Sequence, residues 1–291
     1  MSEYVIENDV LKVTVNSKGC ELSSVVRKSD NNEYMWDAKP DIWKRHAPVL
    51  FPIVGKYKND SVKYEGKDYH LTQHGFARDM EFTLVSKESD EIVMKLEENE
   101  DTLTKYPFKF RLECGFKLEE NSIKVSWKVV NTNDKEMYFS IGGHPAFVRP
   151  AGKGSLAGAE ISFDTSEKSV NYKLLNADGL VEDKVYELPL TDGRAVLTEE
   201  MFNNDALIFE NSQTGRVSLS DEGKTFVTVE FDAPVFGVWA PVNKKVPFVC
   251  IEPWYGRADG ADFNGELKNR EWGNTLEAAE TFDKSYKIIF G

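Results

Sequence analysis

Apolar and polar residues alternate along most of this chain, and turn residues separate the alternating segments. The pattern predicts β-strands, because successive side chains of a strand point to opposite faces. Short turns join several neighbouring segments, which predicts antiparallel hairpins. The predicted strands span residues 10–15, 21–27, 61–64, 68–71, 81–85, 92–96, 108–118, 122–130, 138–141, 216–219, 225–231, 235–239 and 286–290.

Helical signals are few and short. They predict one turn at residues 101–103, a second at 198–202 with Thr198 as its N-cap, and a third over 276–282. Many short strands with few short helices predict an all-β fold, either a sandwich or a barrel. Because there is no low-complexity linker and no internal repeat, we predict a single domain over residues 1–291.

The composition excludes several classes of function. A net charge of −13 argues against a nucleic-acid partner, because such binding depends on basic residues that neutralise phosphates. No apolar stretch approaches the roughly 20 residues needed to span a membrane. The N-terminus lacks signal-peptide features and the three cysteines are far apart, so we expect a cytoplasmic protein with free thiols.

Two of the four histidines lie beside glycine in strand-like sequence. His74 lies in a Gln-His-Gly-Phe-Ala-Arg segment. It could act as an acid or base in a pocket, or it could be a turn residue that hydrogen-bonds its own backbone. His144 follows Gly142-Gly143, which would let the backbone approach a ligand or adopt positive φ. The alternative for His144 is a strand-end residue packed under a loop, and we favour the functional role.

Glu252 follows an apolar run, so its carboxylate should be desolvated and its pKa raised toward neutrality. Together with two imidazoles, such a group supplies what proton shuttling near pH 7 requires. The alternative is a buried carboxylate paired with an arginine such as Arg257. Trp254 and Tyr255 could form an aromatic wall for a sugar ring. The alternative is that both side chains pack in the core.

Four further residues are weaker candidates for ligand contacts. Arg78 offers a fixed cation with several donors, although an ion pair with Asp79 or Glu81 is the simpler role. Arg45 precedes an apolar loop and could point at a ligand. Local sequence favours a turn for Asp205 and a solvated turn for Lys56.

Other chemistries lack their motifs. The sequence contains no HExxH or comparable metal-ligand spacing, no phosphate-binding glycine loop and no GxSxG nucleophile segment. We therefore predict no metal and no cofactor.

Five short sequence segments, taken together in their order along the chain, are the most specific feature of the sequence. They are APVLFPIVG at 47–55, QHGFAR at 73–78, GHPAF at 143–147, NDAL at 204–207 and CIEPW at 250–254. This set resembles the aldose 1-epimerase (galactose mutarotase-like) family, and within it the LacX-type bacterial branch. The resemblance covers residues 5–290; each segment is modest alone, but the set is specific.

The resemblance implies a large antiparallel β-sandwich, the galactose mutarotase-like supersandwich, with a carbohydrate cleft on one sheet. It implies that His74 and His144 match the two family histidines, with His144 as the acid at the ring oxygen. Glu252 would match the base at the anomeric hydroxyl, and Asp205 the sugar-binding aspartate. Lys56 stands where the family commonly has arginine, so the planar hydrogen-bonding fork is lost there.

The expected activity is interconversion of the α and β anomers of a hexose, by acid–base ring opening without metal or cofactor. Arg78, Lys56, Arg45 and Trp254 would hold the sugar. Two alternatives stay open, a hexose-6-phosphate mutarotase and a non-catalytic carbohydrate-binding module on the same fold. The expected partner is a small-molecule sugar, and the expected assembly is a monomer or homodimer.

Overall fold

Strands form most of the regular structure in the computed structural model, which describes residues 2–150 and 153–291. The strands in chain order are β1 Glu3–Glu7, β2 Leu11–Asn16, β3 Glu21–Arg27, β4 Asn32–Glu33, β5 Val49–Leu50, β6 Ser61–Tyr64, β7 Lys67–His70, β8 Thr83–Lys87, β9 Glu91–Glu97, β10 Phe110–Glu119, β11 Ser122–Asn131, β12 Met137–Phe139, β13 Ile141–Gly143, β14 Ala146–Val148, β15 Glu160–Phe163, β16 Ser169–Tyr172, β17 Tyr186–Pro189, β18 Arg194–Val196, β19 Leu207–Phe209, β20 Arg216–Asp221, β21 Lys224–Phe231, β22 Val235–Trp239, β23 Phe248–Tyr255, β24 Asn274–Leu276 and β25 Thr281–Phe290.

Helices are short, as the sequence predicts. One α-helix, α1, spans Glu100–Lys105, and its N-cap Asn99 accepts a hydrogen bond from the backbone N–H of Thr102. The 3₁₀ turns are Lys58–Asp60, Ala77–Asp79, Glu199–Phe202 and Leu267–Asn269. None of the helices formed by the described residues has the length and apolar character that a membrane crossing needs.

Two large sheets dominate the architecture. The first has nine strands in the order β18-β15-β20-β21-β25-β11-β10-β9-β8, and each neighbouring pair is antiparallel. The second has the order β19-β22-β23-β13-β5, with β14 also paired to β23. A four-stranded sheet β1-β2-β3-β4 and three two-stranded ribbons complete the fold. The predicted all-β antiparallel sandwich is therefore confirmed.

The core lies between the two large sheets. Trp127 on β11 contacts Tyr286 on β25 and Tyr255 on β23, with ring centroids 5.0 and 6.3 Å apart. Gly143 on β13 allows this close packing, because a Cβ there would lie 2.7 Å from the Tyr286 hydroxyl. One face of β13 and β23 thus packs into the core, and the opposite face is left for a site.

All eight residues of β23 are buried, because the strand has neighbours on both edges and covered faces. This explains the apolar run that precedes Glu252. Tyr255 points into the core, so the alternation of side chains sends Cys250, Glu252 and Trp254 together to the other face.

One predicted helix is wrong. Residues 276–282 contain the end of β24, a turn and the start of β25. Leu276 pairs with Met137, and Phe282 pairs with Val129. Ala279 adopts φ +63°, which a helix does not allow. Pairing with β12 and β11 overrides the local helical preference here. The predicted turns at 101–103 and 198–202 are confirmed.

Candidate active site

A cavity of about 170 Å³ opens on the outer face of the second large sheet. This volume is below the roughly 300–1,000 Å³ typical of pockets for drug-sized ligands, so the cavity suits a smaller molecule. Six of the eight side chains predicted from the sequence line it: His74, Arg78, His144, Asp205, Glu252 and Trp254.

Strand register brings Glu252 and His144 together. On β23, Trp254 pairs with Gly142 of β13, and Cys250 pairs with Ala146 of β14. Both pairs belong to one register, which places Glu252 directly across from His144 at the junction of β13 and β14. Side chains opposite each other on paired strands point to the same face. His144 Nε2 consequently lies 3.3 Å from Glu252 Oε2.

The Glu252 carboxyl is 1% exposed, and its Oε2 has no hydrogen-bond partner among the described residues. Burial raises its pKa well above the usual range, and the nearby carboxylate of Asp205 raises it further. The alternative pairing with Arg257 is not formed, because that guanidinium binds Glu210 and Glu271. Among the described residues, no lysine or arginine forms an ion pair with the carboxyl, and the imidazole of His144 does so only when it is protonated.

The His144 ring is held by aromatic contacts. It stacks on Trp43 with centroids 4.9 Å apart and meets the edge of Trp239 at 5.2 Å. Burial lowers the pKa of His144 to about 3, and the charge of Arg78 acts in the same direction. Burial therefore favours the uncharged forms of both His144 and Glu252, which together hold one proton.

His74 meets His144 edge to face, with ring centroids 5.7 Å apart. Its backbone has φ +66°, a conformation in which histidine is enriched among non-glycine residues. The N–H of Gly55 donates to His74 Nδ1 at 3.1 Å, and the N–H of His74 donates to the Gly55 carbonyl at 2.7 Å. Because Nδ1 accepts, Nε2 carries the proton and can donate to a ligand. Burial keeps the pKa of His74 well below its usual range.

Glycines make room for the Trp254 indole, which forms part of the cavity floor. A Cβ would lie 2.6 Å from the indole at Gly142 on β13 and 2.5 Å from it at Gly237 on β22. Of the two possibilities raised for Gly142-Gly143, close approach of the backbone to a ligand or positive φ, the second is not adopted by either residue. The pair is instead packed closely on both faces, with Trp254 against Gly142 and the core against Gly143.

Asp205 lies at the entrance to β19 and also has a left-handed backbone, with φ +69°. Its Oδ1 accepts a hydrogen bond from the N–H of Ala206 at 2.8 Å. Burial raises the pKa of the carboxyl, while hydrogen bonds from Ala206 and Trp239 act against that shift. Two site residues, His74 and Asp205, thus occupy a sparsely populated backbone region, which is common where function positions a side chain.

Arg78 joins this cavity to a second one. It donates to the Gln73 carbonyl at 2.5 Å, and its buried Nε lies 4.0 Å from the Asp79 carboxylate without a hydrogen bond to any described residue. Burial and the charge of Arg45 lower the pKa of Arg78 to about 10. The guanidinium therefore retains an unused donor beside the cavity.

Two predicted ligand contacts lie outside the main cavity. Arg45 lines the second cavity, where it binds Asp79 at 2.9 Å. Lys56 follows Gly55 but approaches Asp60 at 3.4 Å. Their side chains are not brought to the cavity in this conformation of the protein.

The cavity includes residues that sequence reasoning missed. Trp43 and Trp239 line it together with Gln73. Trp239 ends a predicted strand, and Trp43 lies just before Arg45, but neither position carries a signal that separates a ligand contact from ordinary packing. The structure also groups Cys250 with His144 and Glu252 as potential metal ligands.

Comparison with known proteins identifies related chains. A family model described as aldose 1-epimerase matches residues 2–288. The chromosomal protein LacX of Lactococcus lactis subsp. lactis is 29% identical, and the match covers 97% of each chain. A galactose mutarotase related enzyme from Lactobacillus acidophilus superposes with a TM-score of 0.93 at 37% identity, over 100% of this chain and 97% of that one. A galactose mutarotase-like protein from Lactobacillus casei has a TM-score of 0.93 at 29% identity, over all of both chains.

Proposed function

Because the chain belongs to the aldose 1-epimerase family, we propose that it interconverts the α and β anomers of a free aldose such as a hexose. The observation that carries the proposal is the His144–Glu252 pair, whose Nε2 and Oε2 lie 3.3 Å apart at a small cavity. Two groups that share one proton can remove a proton from one oxygen while they protonate another.

In the proposed reaction, the Glu252 carboxylate removes the proton from the anomeric hydroxyl, and protonated His144 gives its proton to the ring oxygen. The bond between C1 and the ring oxygen breaks, which leaves an aldehyde and a free hydroxyl. Rotation about C1–C2 and the reverse proton transfers close the ring on the other face. The atoms balance, because the enzyme recovers both protonation states when the ring closes.

Burial sets which protonation state must form before the ring opens. Desolvation favours protonated Glu252 and neutral His144, so one proton must first pass from Glu252 to His144 when the sugar binds. Ring opening returns the pair to these uncharged forms, so the cost of forming the buried ion pair is recovered in that step and burial gives no net gain. Each positioned acid or base typically contributes about 10²–10⁴-fold in rate.

The other polar side chains are assigned to binding. His74 would donate from Nε2 to the ring oxygen or a neighbouring hydroxyl, because Nδ1 already accepts from Gly55. Asp205 and Arg78 would bind hydroxyls, and the Trp254 indole would pack on the apolar face of the ring. Arg45 and Lys56 would take part only if their side chains leave Asp79 and Asp60.

Polarimetry tests the proposal. Freshly dissolved α-galactose and α-glucose should reach equilibrium rotation faster with the protein than without it. Glu252→Gln and His144→Ala should each lower the catalysed rate of anomer exchange by about 10²–10⁴-fold. Glu88→Gln on the surface should leave that rate unchanged. Equal acceleration by the wild type and both site variants would contradict the assignment. Sugar binding without any acceleration would instead support a non-catalytic carbohydrate-binding module.

A second candidate substrate is a phosphorylated hexose, which the adjoining cavity favours. That cavity has a volume of about 290 Å³, and its lining includes four basic residues, Lys18, Lys44, Arg45 and Arg78, against the carboxylates of Glu21 and Asp79. Because Arg78 lines both cavities, a phosphate could lie in the second while the sugar ring lies in the first.

Comparing glucose with glucose 6-phosphate in the same assay separates the two substrates. If phosphate binds in the second cavity, Lys44→Gln should raise KM for the phosphorylated sugar and leave KM for glucose unchanged. Lys63→Gln, which removes a lysine paired with Asp68 outside both cavities, is the matched control. Equal KM values for both sugars in all variants would exclude the phosphate site.

A further inference from the structure

Cys250 lies on the same face of β23 as Glu252, and the proposed reaction does not use it. One potential ligand atom from each of His144, Cys250 and Glu252 lies within 4.8 Å of the other two, and all three residues are buried. We propose that these three side chains form a binding site for a soft divalent cation, with Zn²⁺ as the ion that fits their chemistry.

The geometry is close to that of a zinc site. Zinc binds sulfur at about 2.3 Å, nitrogen at about 2.0–2.1 Å and carboxylate oxygen at about 2.0–2.2 Å, so neighbouring ligand atoms in a tetrahedron lie roughly 3.3–3.6 Å apart. His144 Nε2 and Glu252 Oε2 are already 3.3 Å apart. The cysteine sulfur lies within 4.8 Å of both other ligand atoms, so it needs to approach by up to roughly 1.2 Å to reach tetrahedral spacing.

The charges also balance. A thiolate, a carboxylate and a neutral imidazole together carry two negative charges, and Zn²⁺ cancels them. Desolvation opposes separate charges at this buried position, but it opposes a neutral cluster much less. Glu252 Oε2 is buried without a hydrogen-bond partner among the described residues, so a ligand position on this oxygen is free.

The ligand types select the ion. Thiolate and imidazole favour zinc and cobalt, whereas magnesium and calcium prefer oxygen ligands. The other two thiols offer an internal comparison. Cys20 and Cys114 are also buried, and the sulfur of Cys20 contacts the backbone carbonyl of Cys114 in the core. Neither belongs to a potential metal cluster among the described residues.

Metal and sugar would compete for one place, because the ion would use both His144 and Glu252. This consequence depends on the proposed function, whereas the binding of the ion does not. Zinc should therefore inhibit anomer exchange reversibly. No change of oxidation state is involved, and binding releases the protons of the thiol and the carboxyl to solvent.

Cobalt titration tests the binding itself. The whole chain, freed of metal by chelator and dialysis, is titrated with Co²⁺ and followed by absorption. We expect a thiolate-to-cobalt charge-transfer band that saturates at one equivalent and is removed by Zn²⁺. Cys250→Ala should abolish the band and raise the dissociation constant by at least about 100-fold. Cys114→Ala makes the same change at a buried thiol elsewhere and should leave the band intact.

The proposal is overturned if the wild type shows no charge-transfer band, or if the band survives in Cys250→Ala. Circular dichroism checks that this variant is folded, and Cys250→Ser, which nearly preserves the side-chain volume, replaces it if it is not. In the polarimetric assay, zinc should inhibit the wild type and spare Cys250→Ala, and chelator should restore the wild type. If no aldose is turned over by the metal-free protein, the proposed function fails while the cobalt spectrum still reports the site.

Discussion

Glu252 on β23 lies directly across from His144, 108 positions earlier in the sequence, with Oε2 and Nε2 3.3 Å apart. His144 lies in the two-residue connection between β13 and β14, and both of these strands pair with β23, so strand register sets the distance. The pair holds one proton in a place where burial disfavours charge on both members. The predictions below follow from this arrangement and from the residues around it.

The pH profile of kcat/KM should be broad, because the active pair must hold one proton. The acid limb requires a second proton on the pair and should lie near pH 3, where the pKa of His144 is placed by burial. The basic limb requires loss of the last proton and should lie well above 4.5, because the pKa of Glu252 is raised. Interacting groups of this kind titrate as a pair.

Asp205→Asn should move only the basic limb, toward lower pH. The Asp205 carboxylate helps to raise the pKa of Glu252, so its removal lowers that pKa. Asparagine tolerates the φ of +69° and still accepts from the Ala206 N–H, which preserves the local structure. The profile is measured by polarimetry, with the exposed Asp183→Asn as control. A basic limb that stays in place would show that the two carboxylates do not interact.

Glu252→Gln should stabilise the protein at alkaline pH. The folded-state pKa of Glu252 is raised, so the folded protein holds this proton more tightly than the unfolded chain does. Stability is then greatest below the unfolded pKa of about 4.5 and is lost as pH rises toward the folded pKa. Glutamine does not ionise, so thermal unfolding should show a Tm gain of about 2 °C or more at pH 8. A Tm gain at pH 4 that disappears at pH 8 would show that the pKa of Glu252 is lowered, not raised, in the folded protein.

Two substitutions of His74 should affect stability differently but catalysis equally. Alanine at φ +66° suffers left-handed strain and loses the bond from Gly55, so His74→Ala should lower the free energy of unfolding by about 2 kcal/mol. Asparagine tolerates this backbone, and its Oδ1 can accept from Gly55, so His74→Asn should stay near wild-type stability. Both variants lose the Nε2 donor and should be about 100-fold slower. Denaturant unfolding and polarimetry on the same samples check this, and a fully active His74→Asn would remove the donor role.

Gly237→Ala should damage sugar binding through Trp254. The new methyl would lie 2.5 Å from the indole, which must move out of its place on the cavity floor. We expect a loss of about 1–3 kcal/mol in stability and a roughly tenfold rise in KM, equivalent to about 1.4 kcal/mol. Gly154→Ala is the control, because nothing lies within 4 Å of a Cβ there. Unchanged KM in Gly237→Ala would show that the indole position does not matter for the substrate.

Local patterns predicted 13 of the 25 strands in the described part of the chain, because alternation depends only on which face a residue occupies. The segment 21–27 matches β3, and 108–118 and 122–130 form the predicted hairpin of β10 and β11. The segment 276–282 failed because its strands are stabilised by partners distant in the sequence. The motifs around His74, His144 and Glu252 identified three side chains that line one cavity. Their catalytic roles stay predictions.

The sequence by itself determined the β class, the family and the chemical types available at the site, since these depend on residue identity and short-range order. Tertiary structure decided which of those residues meet. Register between β23 and the β13–β14 segment places Glu252 against His144, and it adds Cys250 to the same face. Packing of the loop before β5 places Arg45 in an adjoining cavity and Trp43 against His144, and Trp239 at the end of β22 meets the same ring. A change of one residue in the register of β23 would send Glu252 and Cys250 to the opposite face, and no local pattern encodes that choice.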